Sequence, residues 1–268
     1  MTTYLLGMSH AISVLRALAP DIGISHNSWA GHSAEPGFAA MAVPGLPDLR
    51  VHLIPPNSGW RAVIQHNNGQ RTVAASPGFI ELLDHIDAKE PDQARLISFL
   101  GGNEHSSLSL LAHPQPYDFV WPRDSDAPLC EGHQPLAIAV VEAQLLGVLQ
   151  QTLAQLTMIR IRHPHLAITH VLPPPPHANE DGMRASPEVF GQLLSTQGVM
   201  PLSIRMKYYG LYGELLRSQL APLGITCLDA PAAACDANGA LRDDLTQGCT
   251  HGNEAYGALV AEQLRHLN

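Results

Sequence analysis

TYLLGMSHAISVLRAL, residues 3–18, changes its apolar period in mid-segment. Thr3–Leu6 is a short apolar run that suits a buried strand. Ile12, Leu15 and Leu18, with Val14 beside them, recur at helical spacing, and Pro20 closes the pattern. Between the two lies Gly7-Met8-Ser9-His10. The chain therefore opens as a strand turning directly into a helix, with Ser9 at the turn.

The same alternation continues downstream. A second strand is predicted near Arg50–Ile54, ending in Pro55-Pro56-Asn57-Ser58-Gly59. Arg61–Gln65 and Arg71–Ala74 flank Asn67-Asn68-Gly69, a hairpin signal. Phe79–Lys89 has helical spacing. Arg95–Leu100 is a strand that runs into Gly101-Gly102-Asn103. A long helix is predicted over Leu136–His163, a strand over Ala167–Leu172 stopped by Pro173–Pro176, and a helix over Leu202–Leu220. Ile225–Leu228 and Glu254–Leu267 supply a last strand and a last helix. Residues 21–49 and 113–135, rich in Gly, Pro, His and Asp, read as loop insertions. Strands alternating with helices predict an α/β domain, residues 1–268, with a five-stranded parallel sheet covered on both faces. Ligands of such sheets sit beyond the carboxyl ends of the strands. Ser9, Gly59 and Asn103 all fall there.

Composition narrows the functions. The net charge is −9 and the only lysines are Lys89 and Lys207, so nucleic-acid binding, which needs clustered cations, is not expected. The most apolar stretch, Leu136–Leu149, is interrupted by Glu142 and Gln144, so no membrane span is predicted. The first ten residues lack the basic start of a signal peptide, and a cytoplasmic location is the expectation. Cys130, Cys227, Cys235 and Cys249 form no CxxC pair and read as free thiols. His163-Pro164-His165 has no metal-ligand spacing, and Asp236-Ala237-Asn238-Gly239 reads as a turn rather than a calcium loop. Tyr208, Tyr209 and Tyr212 read as packing residues.

Three residues could carry chemistry, and each has a plainer explanation. Ser9 could be a nucleophile favoured by a helix N-terminus, or a helix N-cap. Asn103 could donate its amide to an oxyanion, or simply belong to a turn. His251, in Cys249-Thr250-His251-Gly252-Asn253-Glu254, could be a general base, or one of 15 histidines with no role.

Taken together, Gly7-x-Ser9, Gly59, Gly101-Gly102-Asn103 and His251-Gly252-Asn253 occur in this order, each at an element boundary. The set resembles the SGNH hydrolase superfamily, the GDSL-type esterases and lipases, across nearly the whole chain. GGNEH and THGNEAYG are its more specific parts. The resemblance implies a flavodoxin-like three-layer α/β/α sandwich. It implies Ser9 as nucleophile, His251 as its base, and the Ser9 N–H, Gly59 N–H and Asn103 side chain as oxyanion hole.

Two departures stand out. The family's usual Gly-Asp-Ser is Gly7-Met8-Ser9 here, and its usual Asp three residues before the histidine is Gly248. Asp244 would need a looped segment to serve instead, whereas a backbone carbonyl could orient the ring without adding charge. A Ser9–His251 dyad is therefore expected, slower than a full triad; losing the acid costs a serine protease about 10⁴ in turnover. The expected reaction is hydrolysis of a small acyl ester, such as an acetyl ester of a sugar or metabolite. The alternatives are acyl transfer at the same site, a degenerate ligand-binding domain, or a flavin or nucleotide binder; the last lacks a phosphate loop. A small-molecule ester is the only partner implied, with no cofactor and no metal, and the sequence carries no sign of the oligomeric state.

Overall fold

A computed structural model describes residues 1–20, 36–55, 59–68, 70–88 and 94–267. The strands, in chain order, are β1 (Thr2–Gly7), β2 (Ala39–Val43), β3 (Leu46–Leu53), β4 (Ala62–Asn67), β5 (Gln70–Ala75), β6 (Ala94–Phe99), β7 (Tyr117–Asp118), β8 (Gln134–Pro135), β9 (Ala167–Val171), β10 (Ile225–Leu228), β11 (Thr246–Gln247) and β12 (His251–Gly252). The helices are α1 (Ala11–Leu18), α2 (Pro77–Asp84), α3 (Glu104–Ser109), α4 (Ile138–Arg162), α5 (Glu180–Ala185), α6 (Gly191–Gln197), α7 (Leu202–Leu220) and α8 (Glu254–Arg265).

The central sheet runs β10-β9-β6-β1-β3-β2. Its β1–β3, β1–β6, β6–β9 and β9–β10 pairs are parallel. Numbered by order of appearance, the parallel strands lie 2-1-3-4-5, the flavodoxin-like arrangement. The chain reverses its direction of travel across the sheet between β1 and β6. The crevice at that switch point opens beyond Gly7 and Phe99, which are paired.

Side-chain alternation along β1 builds the two interfaces. Tyr4 and Leu6 face α2, α4 and α7, packing with Phe79, Leu149, Leu153, Tyr208 and Leu211. Leu5 faces α1 and α8, packing with Ile12, Leu15, Tyr256 and Val260. The result is an α/β/α sandwich with a core on each side of the sheet. Burying each such Leu or Phe fully is worth about 1.5–3 kcal/mol.

Two expectations need correction. Among the described residues the sheet has six strands rather than five, because β2 adds an antiparallel edge to the five parallel ones, within the segment assigned to the 21–49 insertion. Ala39–Val43 is mostly exposed and shows no apolar alternation, as befits an edge strand, so periodicity could not reveal it. Residues 21–35 of that insertion, and Gly69 of the predicted hairpin turn, lie outside the described residues. The hairpin itself forms, with Ala62 opposite Ala75 and Asn67 opposite Gln70.

The 113–135 segment is also more ordered than a loop. Its β7 pairs with β8, and Asp118 is fully buried against Lys207 of α7, with Nζ 3.0 Å from Oδ1. The other carboxylate bonds come from the Phe119 and Cys130 N–H groups. One of only two lysines thus pins the insertion to the helix layer. Among the described residues no helix is long and apolar enough to cross a membrane.

Candidate active site

The helices that follow Ser9 and His251 pack directly on each other. Gly257 of α8 sits so close to α1 that a Cβ there would lie 2.1 Å from the Ser13 carbonyl oxygen. Gly7, at the end of β1, permits the tight entry into α1, since a Cβ on it would meet the Ala11 Cβ at 2.6 Å. Close helix packing therefore sets the N-terminal ends of α1 and α8 side by side. Residues 242 apart in sequence meet there: the Ser9 hydroxyl lies 2.9 Å from His251 Nε2.

Ser9 is not the N-cap of α1. That position belongs to His10, and the Ser9 hydroxyl points instead to the imidazole. Capping of α8 falls to Asn253, whose side chain accepts from the Tyr256 N–H and donates to the Asp244 carbonyl. His251 is thereby free of any capping role. It lies in β12, paired with β11 across the Gly248 turn.

On the other side of the imidazole stands a carboxylate where the sequence suggested none. His251 Nδ1 lies 2.8 Å from Glu188 Oε1. Glu188 opens a short 3-10 turn, Glu188–Phe190, between α5 and α6. Its carboxylate also accepts from Thr250 Oγ1. Burial pushes the Glu188 carboxyl up. The hydrogen bond and charge of His251, with bonds from the Cys249 N–H and Thr250, more than offset this and hold it below its ordinary value. Asp244, the acid considered from sequence, turns away to Arg242, with Nη2 and Oδ2 2.6 Å apart.

Gly248 makes room for the Glu188 carboxylate. Its φ is +62°, and a Cβ built on it would lie 2.4 Å from Glu188 Oε1. The Glu188 carboxylate thus occupies the space that a side chain at position 248 would take. Glu188 itself has φ +52°, unusual for a residue with a side chain. Such strain is found where the surroundings over-determine a functional position.

Asn103 stands at the start of α3 without capping it, and its Oδ1 lies 3.0 Å from His10 Nε2. The preceding glycines shape this turn. Gly101 has φ +70° and Gly102 φ +107°, and Glu104 Oε2 accepts from the Gly102 N–H at 2.6 Å. The second carboxylate oxygen of Glu104 accepts from Thr152 Oγ1 at 2.6 Å. Withdrawal from water raises the Glu104 carboxyl above its ordinary value, against the bonds from Thr152 and Gly102. Ser9, Asn103 and Glu104, together with Met8, Ser107, Gln151 and Gln155, line a cleft of about 340 Å³.

Gly59 is not among the residues lining that cleft. It is exposed, and residues 56–58 just before it lie outside the described residues. The neighbouring Trp60 carbonyl accepts from Gln155 Nε2, which ties this segment to the cleft rim. The structure thus brings together Ser9, His251 and Asn103, and adds Glu188, His10 and Glu104. Nothing in the local sequence around Glu188 marks it as an acid for His251. The only available signal was negative, the glycine at position 248.

No protein-family model matches the chain, and no curated protein matches it. Solved structures with similar folds include a Bacteroides fragilis protein described provisionally as an acylhydrolase, at 10% identity and TM-score 0.43, covering 98% of this chain and 84% of that one. An inhibitor-bound M. smegmatis aryl esterase matches at 14% identity and TM-score 0.36, over 100% of both chains. A phospholipase A1 from Streptomyces albidoflavus NA297 matches at 11% identity and TM-score 0.37, over 98% and 99%. These likenesses are too distant to carry an argument about activity, which rests on the geometry of the site.

Proposed function

We propose that this chain is an SGNH-type serine hydrolase that cleaves a small acyl ester through Ser9, His251 and Glu188. The observation that carries the proposal is the unbroken line of contacts from the Ser9 hydroxyl to His251 Nε2 at 2.9 Å and from Nδ1 to Glu188 at 2.8 Å. A serine hydroxyl is a weak nucleophile until a neighbouring base takes its proton. The Glu188 carboxylate selects the tautomer with hydrogen on Nδ1, leaving Nε2 to accept, and stabilises the imidazolium that forms.

In the reaction, Ser9 Oγ attacks the ester carbonyl carbon as its proton passes to Nε2. The carbonyl oxygen becomes an oxyanion, met by the Ser9 N–H and the Asn103 amide; a Gly59 N–H contribution belongs to the same proposal. Collapse breaks the C–O bond to the alcohol, which leaves with the proton from Nε2. Water then attacks the acyl-Ser9 ester, giving its proton to Nε2, and collapse returns the proton to Ser9 and releases the carboxylic acid. One oxyanion donor is typically worth about 2.7–4 kcal/mol.

The cleft supports a neutral, compact substrate. Among its lining residues, Ser107 and Gln155 already donate to the Glu104 and Trp60 carbonyls, Gln151 adds a further amide, and the one carboxylate, Glu104, is engaged by Gly102, Thr152 and Tyr212. An acetyl or similarly short ester of a sugar or hydroxylated metabolite suits this lining. Turnover of p-nitrophenyl acetate by the wild type, with loss by at least about 10³-fold in Ser9→Ala and His251→Ala, is the expected result. Equal rates in all three proteins would refute the proposal. Adding an alcohol to the assay and measuring transesterified product distinguishes transfer from hydrolysis.

A further inference from the structure

We infer that His10, the residue after the proposed nucleophile, is a positioning residue that fixes which end of the Asn103 amide faces the substrate; this rests on the hydrolase reading above. An asparagine amide has two ends of nearly equal size and opposite hydrogen-bonding character. Turned one way it presents two N–H donors to the cleft. Turned the other way it presents a carbonyl oxygen, which repels an oxyanion. Asn103 makes no capping bond to α3 that would choose between these orientations.

His10 makes the choice. Its Nε2 lies 3.0 Å from Asn103 Oδ1, so with hydrogen on Nε2 it donates to the carbonyl end and leaves Nδ2 for the oxyanion. The ring has little freedom to do otherwise. It is 7% exposed, and it stacks on the His251 ring with centroids 4.6 Å apart and planes 27° apart. Gly102 makes the space for it: a Cβ there would lie 2.4 Å from His10 Cδ2. The second glycine of Gly101-Gly102-Asn103 therefore admits the ring that orients the asparagine. One turn of chain, Ser9-His10, holds the nucleophile and sets the oxyanion donor from the opposite side of the cleft.

The test is a double-mutant cycle of His10→Phe and Asn103→Ala, with His10→Gln as the conservative variant. Phenylalanine keeps the stacked ring and loses the donor, whereas glutamine keeps an N–H donor. For p-nitrophenyl acetate, His10→Phe is expected to lower kcat by about 10- to 100-fold with KM nearly unchanged, part of the effect of a whole oxyanion donor. His10→Gln should recover most of that loss. In the Asn103→Ala background, His10→Phe should change kcat by no more than about two-fold, because the group it positions is gone. The Asn103 side-chain NH₂ resonances, followed by NMR, should shift in His10→Phe and return toward wild type in His10→Gln. Wild-type kcat with unmoved resonances in His10→Phe, or an equal loss in both backgrounds, would overturn the inference. Absence of wild-type turnover would refute the hydrolase reading instead, and the resonances would still report whether His10 holds the amide.

Discussion

Gly248 and Glu188 occupy one another's space: a Cβ on Gly248 would fall 2.4 Å from the carboxylate oxygen that meets His251. Gly248→Ala should therefore displace Glu188 while leaving Ser9, His251 and Asn103 in place. The alanine must also adopt φ near +62°, a conformation that costs about 1 kcal/mol or more. The expected kinetic outcome is a fall in kcat with little change in KM, approaching the effect of Glu188→Gln. Removing the acid of a serine triad costs about 10⁴-fold. Steady-state kinetics of both variants and of the double variant measure this. If the two act through the same carboxylate, the double variant is no slower than Glu188→Gln. Independent, multiplying losses would show that Gly248 does something else.

The arrangement of the strands and the choice of His251 came from the family resemblance, whereas the placement of Ser9 and Asn103 follows from local pattern. An apolar run ends, a glycine-rich turn follows, and the polar side chain lands on the carboxyl edge. Leu202–Leu220 and Ile225–Leu228 were readable to the residue for the same reason. Glu188 was not legible, since its role depends on two distant turns meeting, 63 residues apart in sequence. His10 was hidden differently. It belongs to the Gly7-Met8-Ser9-His10 turn, but its bond to Asn103 spans 93 residues and leaves no periodic trace. The edge strand β2 lacked any apolar alternation, and the short helices α5 and α6, at six and seven residues, fall below the length at which periodicity declares itself.

The buried pair of Asp118 and Lys207 should behave asymmetrically. Both side chains are at most 4% exposed, and both oxygens of Asp118 lie within 3.1 Å of Nζ. Lys207→Met leaves an uncompensated carboxylate and should cost about 3–5 kcal/mol in urea unfolding. Pairing it with Asp118→Asn, which removes the charge and keeps one carbonyl acceptor for either the Phe119 or the Cys130 N–H, should recover part of that loss. A Lys207→Met protein as stable as wild type would contradict the anchoring of the 113–135 insertion.

Acid should destabilise the fold well before the carboxylates titrate. Burial pushes His52 and His170 down to about 4 and His105 down to about 3 from the ordinary 6.5. Each ring is neutral when folded and takes a proton more readily when unfolded. Their contribution to stability is complete above pH 6.5 and is lost progressively as pH falls toward 4. A tenfold change in proton affinity is worth about 1.4 kcal/mol, so the three rings together should cost at least ~3 kcal/mol over that interval. Urea midpoints from pH 8 to pH 4.5 check this. A flat profile would mean that these rings are not sequestered from water.

The most direct measurement is covalent labelling with a fluorophosphonate, read by intact mass and peptide mapping. A serine that attacks an acyl carbon also attacks phosphorus, and the adduct marks the nucleophile itself. The account predicts a single adduct on Ser9 that is absent in Ser9→Ala and forms far more slowly in His251→Ala. An adduct on any other residue, or none on Ser9 while the protein hydrolyses esters at full rate, would contradict it.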